Sequence, residues 1–266
     1  MPDRTNIVYR YDGTFDGFLC CVFESFRIKE SPADIESLSA MQETLFPTKY
    51  IDTVPKQALR VKKSIPLKMS PEANRMIQNA FLTCMEQKEL KILRFMQLGY
   101  RVGKKVVEFT THPDVHEIIR GVRFLGNEAH YSTEFLRFSG YGDFLAAKIT
   151  PKNNVLPLMV GHFCDRFPDE NFVIYDANHK TAFMHQNDGQ TKFIYDAQIT
   201  FPKAEEEEKQ YRALWKHFYQ TIAVEGRINP KLRRNMMPKR YWPNMTEFQE
   251  EETASSRPPA GLFLKD

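Results

Sequence analysis

The stretch from Gly226 to Thr246 concentrates positive charge. It holds six Lys or Arg side chains and no Asp or Glu, and the six are Arg227, Lys231, Arg233, Arg234, Lys239 and Arg240. Clustered cations without carboxylates attract a phosphate backbone, and the rings of Tyr241 and Trp242 are of the kind that stack on exposed bases. The alternative is a solvated cationic helix end, in which Lys and Arg satisfy the last carbonyls and the two rings pack against the core. The residues alone leave both interpretations open.

A second group of residues has the types needed for acid–base catalysis or metal binding. Glu128 and His130 lie two positions apart, whereas His162 belongs to a later helical segment and shares a helical face with Arg166. A carboxylate and two histidines could transfer protons or ligate a metal, and Arg137 and Arg166 could hold an anion. The histidines are 32 positions apart, and no spacing supplies a third ligand. The alternative is a buried polar network that braces a helix against a sheet, so no metal or cofactor is predicted.

Other recognisable chemistry is absent from the sequence. It contains no P-loop, dinucleotide-binding fingerprint, nucleophile elbow or zinc-protease helix, which counts against a stand-alone enzyme. Cys20, Cys21, Cys84 and Cys164 lack the spacing of a zinc or iron–sulfur site and are expected to be reduced thiols. No apolar run reaches the roughly 18 residues of a membrane span, and the N-terminus does not have the pattern of a signal peptide. We therefore expect a cytoplasmic protein without a membrane partner.

The composition is that of an ordinary globular protein. The chain has 266 residues, of which 42% are hydrophobic and 27% charged, and its net charge is +3. So small a net charge does not indicate nucleic-acid binding, and any such argument depends on local clusters of charge.

Hydrophobic spacing predicts the elements that must position these residues. Residues 7–12 alternate as a short strand, and an amphipathic helix follows, capped by Asp12 or Thr14. Residues 51–65 are expected to supply another strand, and Ser70-Pro71 is typical of a helix start. Further helices are predicted at residues 71–85, 89–98 and 113–129.

From residue 135 the pattern changes to strands. Residues 136–150 alternate on both sides of a glycine-rich turn and predict a hairpin, residues 155–167 predict a helix, and residues 172–199 predict two or three strands. A last helix follows Pro202, with a stripe that runs from Tyr211 to Ile222. The fold class is therefore α+β, with an antiparallel sheet packed against a helical layer. One domain is expected over residues 1–246: a helix-rich part (1–134), a sheet-containing part (135–202) and a C-terminal helix with the basic stretch (203–246), followed by a mobile tail (247–266).

Four long segments together resemble a known bacterial family. They are YRYDGTFDGFLCCVFESF, FLGNEAHYSTEFLRF, KITPKNNVLPLMVGHFCDRFPDENFVIYD and LWKHFYQTIAVEGRINPKLRRNMMPKRYW, and the likeness spans about residues 7–246. The family is that of DNA metabolism or repair proteins encoded beside a radical SAM protein, and a related domain precedes a uracil-DNA glycosylase domain in other bacteria. The resemblance implies a DNA-repair context and a protein partner. It implies no catalytic residues, and neither glycosylase nor radical SAM chemistry in this chain.

Three functions follow as expectations. The first is an accessory nucleic-acid-binding protein in DNA repair or modification, which binds DNA through the six cations with Tyr241 and Trp242 and acts with the radical SAM protein encoded nearby. The second is a DNA-processing enzyme of the nuclease or base-excision type that uses Glu128, His130 and His162. The third is a protein-only adaptor, since the chain is rich in the aromatic residues that are enriched at interfaces.

Overall fold

The computed structural model of the chain describes residues 3–40, 43–201, 206–221 and 229–249. Their contacts group into two compact units: unit 1 is Met1–Tyr131 with Pro151–Gly161, and unit 2 is Ser132–Thr150 with His162–Asp266. The expectation of one domain over residues 1–246 stays a prediction, because this grouping does not measure whether either unit folds alone.

Unit 1 consists of helices around a small parallel sheet. Its strands are β1 (Asp3–Arg4), β2 (Val8–Tyr11), β3 (Glu30–Ser31), β4 (Asp34–Ser37) and β5 (Thr48–Tyr50). Its helices are α1 (Phe15–Ile28), α2 (Pro55–Lys68), α3 (Pro71–Phe81), α4 (Lys88–Val102) and most of α5 (Pro113–Phe135), and α6 (Leu156–Arg166) begins in it.

The main sheet of unit 1 has the order β4-β2-β5, and both pairs are parallel. β1 and β3 form a separate parallel pair. Parallel neighbours need a crossover connection, and α1 supplies it between β2 and β4. The predicted strand at residues 7–12 and the helix after it are confirmed. The parallel pairing was not foreseen from the sequence.

The predicted strand at residues 51–65 is wrong, because this segment forms the helix α2 from Pro55 onwards. Its buried side chains are Ala58, Val61 and Ile65, at positions i, i+3 and i+7, which is helical and not strand spacing. Pro55 stands in the first turn, where its missing N–H costs no hydrogen bond. The segment was interpreted as an extended piece, but the burial of one helical face decided the structure.

Local capping explains why two other helices begin where the sequence predicts. The Thr14 side chain accepts a hydrogen bond from the Gly17 N–H at 3.0 Å, and the Ser70 side chain accepts one from the Ala73 N–H at 3.0 Å. Each cap satisfies a backbone donor that would otherwise lack a partner in the first turn. A Cβ at position 17 would stand 2.7 Å from Thr53 Oγ1, closer than real Cβ atoms approach, so glycine allows this close packing.

Unit 2 is built on a five-stranded sheet. Its strands are β6 (Ser139–Tyr141), β7 (Phe144–Ile149), β8 (Phe172–Asp176), β9 (Thr181–His185) and β10 (Thr191–Ile194), in the order β10-β9-β8-β7-β6. Helices α7 (Glu206–Thr221) and α8 (Pro230–Met236) follow, with short 3-10 helices at Lys239–Asn244 and Thr246–Phe248. On one side of the sheet, Phe138 contacts Phe163, Phe167 and Phe172 edge-on at 5.5–5.6 Å between ring centroids.

The α+β class is confirmed, and three of the four strand pairs in the unit 2 sheet are antiparallel. β7 and β8 are parallel instead, because α6 lies between them in the chain and serves as a crossover. Among the described ranges, no helix combines the length and the apolar character that crossing a membrane requires.

Candidate nucleic-acid interface

We use the name basic segment for residues 229–242, the described part of the cationic stretch. Asn229 caps α8 by accepting a hydrogen bond from the Leu232 N–H at 3.0 Å, and Pro230 occupies the first turn. After α8 the chain turns into the 3-10 helix that carries Lys239 and Arg240. Arg227 lies outside the described residues. The described part of the predicted stretch therefore consists of two short helices, one carrying Arg233 and the other Lys239.

The cations of the basic segment are exposed. This holds for Lys231, Arg233, Arg234, Lys239 and Arg240. Within the part of the chain that the structure describes, no carboxylate pairs with the first four. The Arg240 guanidinium donates a hydrogen bond to Tyr241 Oη at 2.6 Å. Positive charge that has no internal carboxylate to neutralise it remains available to an external anion.

Aromatic rings lie beneath Arg233, Lys239 and Arg240. Trp242 and Phe248 are stacked, and the Arg233 guanidinium carbon is 5.4 Å from the Trp242 ring centroid and 5.7 Å from that of Phe248. Lys239 Nζ lies 5.7 Å from the Trp242 ring, and Arg240 lies 4.8 Å from that of Tyr241. These distances are those of cation–π contacts, so the rings hold the cations in place at the surface.

Trp242 and Tyr241 are half-buried and are held by unit 2 itself. The Trp242 indole N–H donates to the Met237 carbonyl at 3.0 Å, and the Tyr241 ring lies 5.3 Å from that of Phe135. The rings thus anchor the segment, and the cations point outwards. That they bind nucleic acid stays a prediction.

A groove of about 360 Å³ lies beside the basic segment. Its lining residues are Arg137, Phe138, Glu208, Tyr211, Arg212, Trp215 and Thr246. Thr246 belongs to the same 3-10 helix as Phe248, so this turn joins the groove to the stacked rings. The rings of Tyr211 and Trp215 are exposed along the groove and present flat apolar surface to solvent.

The arginines of the groove are neutralised internally. Arg137 binds Glu247 with two hydrogen bonds of 2.7 and 3.2 Å, and Arg212 donates to Glu208 at 2.7 Å. Burial by itself would raise the pKa of Glu247, but the hydrogen bonds from Arg137 and Trp215 hold that pKa below its usual range. An external anion at Arg137 would have to displace Glu247. Of the predicted anion pair, Arg166 is exposed and lies over the ring of Phe167.

Glu128 serves an internal purpose. Its side chain is buried and accepts hydrogen bonds from the backbone N–H groups of Lys152 (3.2 Å) and Asn153 (2.7 Å) and from the Asn153 amide (2.6 Å). Asn153 in turn accepts a hydrogen bond from the Cys84 N–H at 2.8 Å. The carboxylate therefore fixes the turn before α6, which matches the expected polar network more closely than a reactive group.

The two histidines of the catalytic hypothesis are both exposed, and they belong to different units: His130 to unit 1 and His162 to unit 2. Over the described ranges, no group of three or more His, Cys, Asp or Glu side chains is arranged to hold a metal ion. The hypothesis that Glu128, His130 and His162 catalyse a reaction stays a prediction.

Comparison with known proteins places most of these features in one family. Residues 86–247 match the profile of DUF4130, described as a domain of unknown function. The chain belongs to the DUF4130 family. No curated protein matches the sequence. The basic segment, Trp242 and the groove lie within the matched DUF4130 region. Phe248 follows it directly, and α2 lies before it.

Two surface features were missed or misjudged from the sequence. The stripe on α7 has the spacing of a packed helix face, yet Tyr211, Leu214, Trp215 and Phe218 are exposed. Glu247 and Phe248 were expected to begin a tail, but they pair with Arg137 and stack on Trp242; residues 250–266 lie outside the described part. The aromatic spacing of α7 was visible in the sequence, but spacing does not distinguish a buried face from an exposed one.

Proposed function

We propose that this protein is an accessory nucleic-acid-binding protein of DNA repair or modification, acting with a radical SAM partner. One observation carries the binding part of the proposal: the basic segment exposes Lys231, Arg233, Arg234 and Lys239, none of them paired with a carboxylate among the described residues. Two of these cations, Arg233 and Lys239, lie over the Trp242 ring of the stacked pair. The repair context and the partner rest on the sequence resemblance to DNA metabolism proteins.

The exposed rings beside the cations favour single-stranded nucleic acid. A duplex hides its base faces, whereas an unstacked base can lie on a ring such as Tyr211 or Trp215. If the four cations without a carboxylate partner each contact one phosphate, the logarithm of the binding constant is expected to fall with the logarithm of salt concentration with a slope of about −3 on a single strand. A neutral or hydrophobic interface would show no such slope.

The experiment that tests this proposal compares two double variants with equal loss of charge. Lys231→Ala/Arg234→Ala removes two cations of the basic segment, and the control Arg123→Ala/Lys192→Ala removes two exposed cations elsewhere. We expect the first pair alone to weaken binding of a labelled single-stranded oligonucleotide in an anisotropy titration and to reduce the salt slope by about 1.4. Equal behaviour of the two pairs would remove the basic segment as the binding surface.

The exposed face of α7 favours a second candidate, a protein-only adaptor. Tyr211, Leu214, Trp215 and Phe218 lie at positions i, i+3, i+4 and i+7, and all four are exposed. A contiguous apolar face of this kind is a common protein interaction site. Co-purification with the radical SAM protein encoded nearby, without oligonucleotide binding by either protein or by the complex, would favour the adaptor over the nucleic-acid-binding protein.

A further inference from the structure

Helix α2 in unit 1 is a second concentration of positive charge. It carries five Lys or Arg side chains and no Asp or Glu, all five are exposed, and they are Lys56, Arg60, Lys62, Lys63 and Lys68. The core requires only the buried stripe of Ala58, Val61 and Ile65. The charges are therefore not explained by packing.

A groove lies beside α2, and two of its cations, Arg60 and Lys68, line it. It has a volume of about 380 Å³ and lies between α1, α2 and the end of α4. Apolar side chains form its walls, namely Val22, Phe23, Phe26 and Val61. A polar pair lies among them, with Ser64 Oγ and Tyr100 Oη 2.6 Å apart. The volume falls within the range of small-ligand sites, and such sites combine apolar walls with a few polar groups.

Three cations line the groove, and they differ in their partners. Arg27 is bound by Glu24 through two hydrogen bonds of 2.7 Å. Arg60 lies 5.7 Å from the Phe23 ring, and Lys68 lies 5.8 Å from the Tyr100 ring. In the ranges that the structure describes, neither Arg60 nor Lys68 pairs with a carboxylate. The groove therefore offers two cations to an anion and aromatic surface to a flat apolar group.

The edges of two rings are available to such a group. Phe26 is 38% exposed although it lies on the helix that forms the groove wall, and its ring meets that of Tyr100 at 5.2 Å and nearly at right angles. A base that entered the groove would contact Phe26 and Tyr100 while its phosphates faced the cations. Contacts between bases and aromatic side chains of this kind are typical of single-strand binding.

We propose that the α2 groove binds a nucleotide of single-stranded nucleic acid, with phosphates at Arg60 and Lys68 and the base against Phe26 and Tyr100. The positive charge continues outside the groove: Lys56, Arg60 and Lys63 share one helical face and span about 10 Å along it. A single amphiphilic anion, such as a fatty acid, would need only the cations at the groove. A row that extends beyond it suits a polyanion.

This site is separate from the basic segment. It lies in unit 1, and apart from Tyr100 it precedes the matched region 86–247. The inference thus goes beyond the proposed function and can hold when the basic segment does not bind.

Three variants of the full chain test the proposal. Their affinity for a labelled oligothymidylate of twelve nucleotides is measured by fluorescence anisotropy. Arg60→Ala/Lys68→Ala removes the groove cations, Phe26→Ala removes the exposed ring, and Arg75→Ala/Arg94→Ala removes two exposed cations of unit 1 as a control. We expect at least a tenfold loss of affinity for the first variant, a loss of about fivefold or more for Phe26→Ala, and little change for the control. Melting temperatures near that of the parent would show that the variants fold.

The outcomes separate this site from the basic segment. If Arg60→Ala/Lys68→Ala behaves like its control, the groove site is overturned, whatever Lys231→Ala/Arg234→Ala does. If the groove variant loses affinity and the Lys231/Arg234 variant does not, the groove site stands and the proposed interface fails. If Arg60→Ala/Lys68→Ala weakens oligonucleotide binding and Phe26→Ala does not, the base does not lie against Phe26. If micromolar laurate displaces the oligonucleotide, the groove binds an apolar anion and the proposal that it binds a nucleotide is wrong.

Discussion

Trp242 and Phe248 stack with their ring centroids 4.3 Å apart and their planes within 10° of parallel. The pair joins two short 3-10 helices, and Arg233 lies over both rings. Arg233 is thereby held at the surface over two rings. Loss of either ring would remove part of the support of Arg233.

The stacked pair predicts the effect of Phe248→Ala. Removing a half-buried ring that contacts Trp242, Tyr219 and Arg233 is expected to lower the free energy of unfolding by about 1–2 kcal/mol and to weaken oligonucleotide binding. Chemical denaturation and anisotropy measure the two effects. Phe46→Ala, at an exposed phenylalanine of unit 1, is the control; if both variants behave alike, the stack has no role in holding the cations.

The Arg137–Glu247 ion pair predicts strong coupling between the two residues. The Glu247 side chain is only 1% exposed, so Glu247→Gln and Arg137→Met should each lower the free energy of unfolding by about 2–3 kcal/mol, because each leaves a partner without its counterpart. The double variant should lose clearly less unfolding free energy than the two single variants lose together. Denaturant titrations of the parent, the two single variants and the double variant form a double-mutant cycle. Losses of unfolding free energy that are strictly additive would contradict the coupling.

Glu128→Gln distinguishes the structural role of Glu128 from a catalytic one. Three donors from residues 152 and 153 meet this carboxylate, and a glutamine would turn an N–H donor towards one of them. We expect a loss of about 1–3 kcal/mol in unfolding free energy, whereas His130→Ala, at an exposed residue, should change it by less than about 0.5 kcal/mol. Parent-like stability of Glu128→Gln together with loss of a DNA-cleaving activity would instead support the enzyme hypothesis.

Glu24 predicts part of the pH dependence of stability. The hydrogen bonds from Arg27, with further help from Lys49, lower the pKa of Glu24 to about 2. Because the folded-state pKa is the lower one, its stabilisation is complete above the ordinary carboxyl pKa of about 4.3 and is lost as the pH falls towards 2. Glu24→Gln should therefore be less stable than the parent at pH 7, and the difference in unfolding free energy between the two should become smaller as the pH falls. The exposed Glu86→Gln is the control, and a gap that is constant with pH would contradict the assignment.

Part of this structure follows from neighbouring residues in the chain. Helix α3 begins after its predicted cap, Ser70, and α1 begins after Thr14, one of the two caps that the sequence allowed. Such caps can be predicted because a cap and the first turn it serves lie within three or four positions of each other. The cationic stretch could also be recognised, since charge composition is a property of the sequence. The position of Arg233 and Lys239 over the Trp242 ring could not.

Tertiary contacts decided the rest. α2 is a helix because one of its faces is buried by residues distant in the chain, and β7 and β8 are parallel because α6 connects them. Glu128 meets its partners 24 and 25 positions away, and Phe248 supports Trp242 across a turn that the sequence did not reveal. The sequence determined the caps, the helical stripes and the clustered charge, because these depend on residues a few positions apart. Only the tertiary structure decided which stripes are buried, which carboxylates are already paired and where a groove lies beside free cations, because these depend on side chains brought together from distant positions.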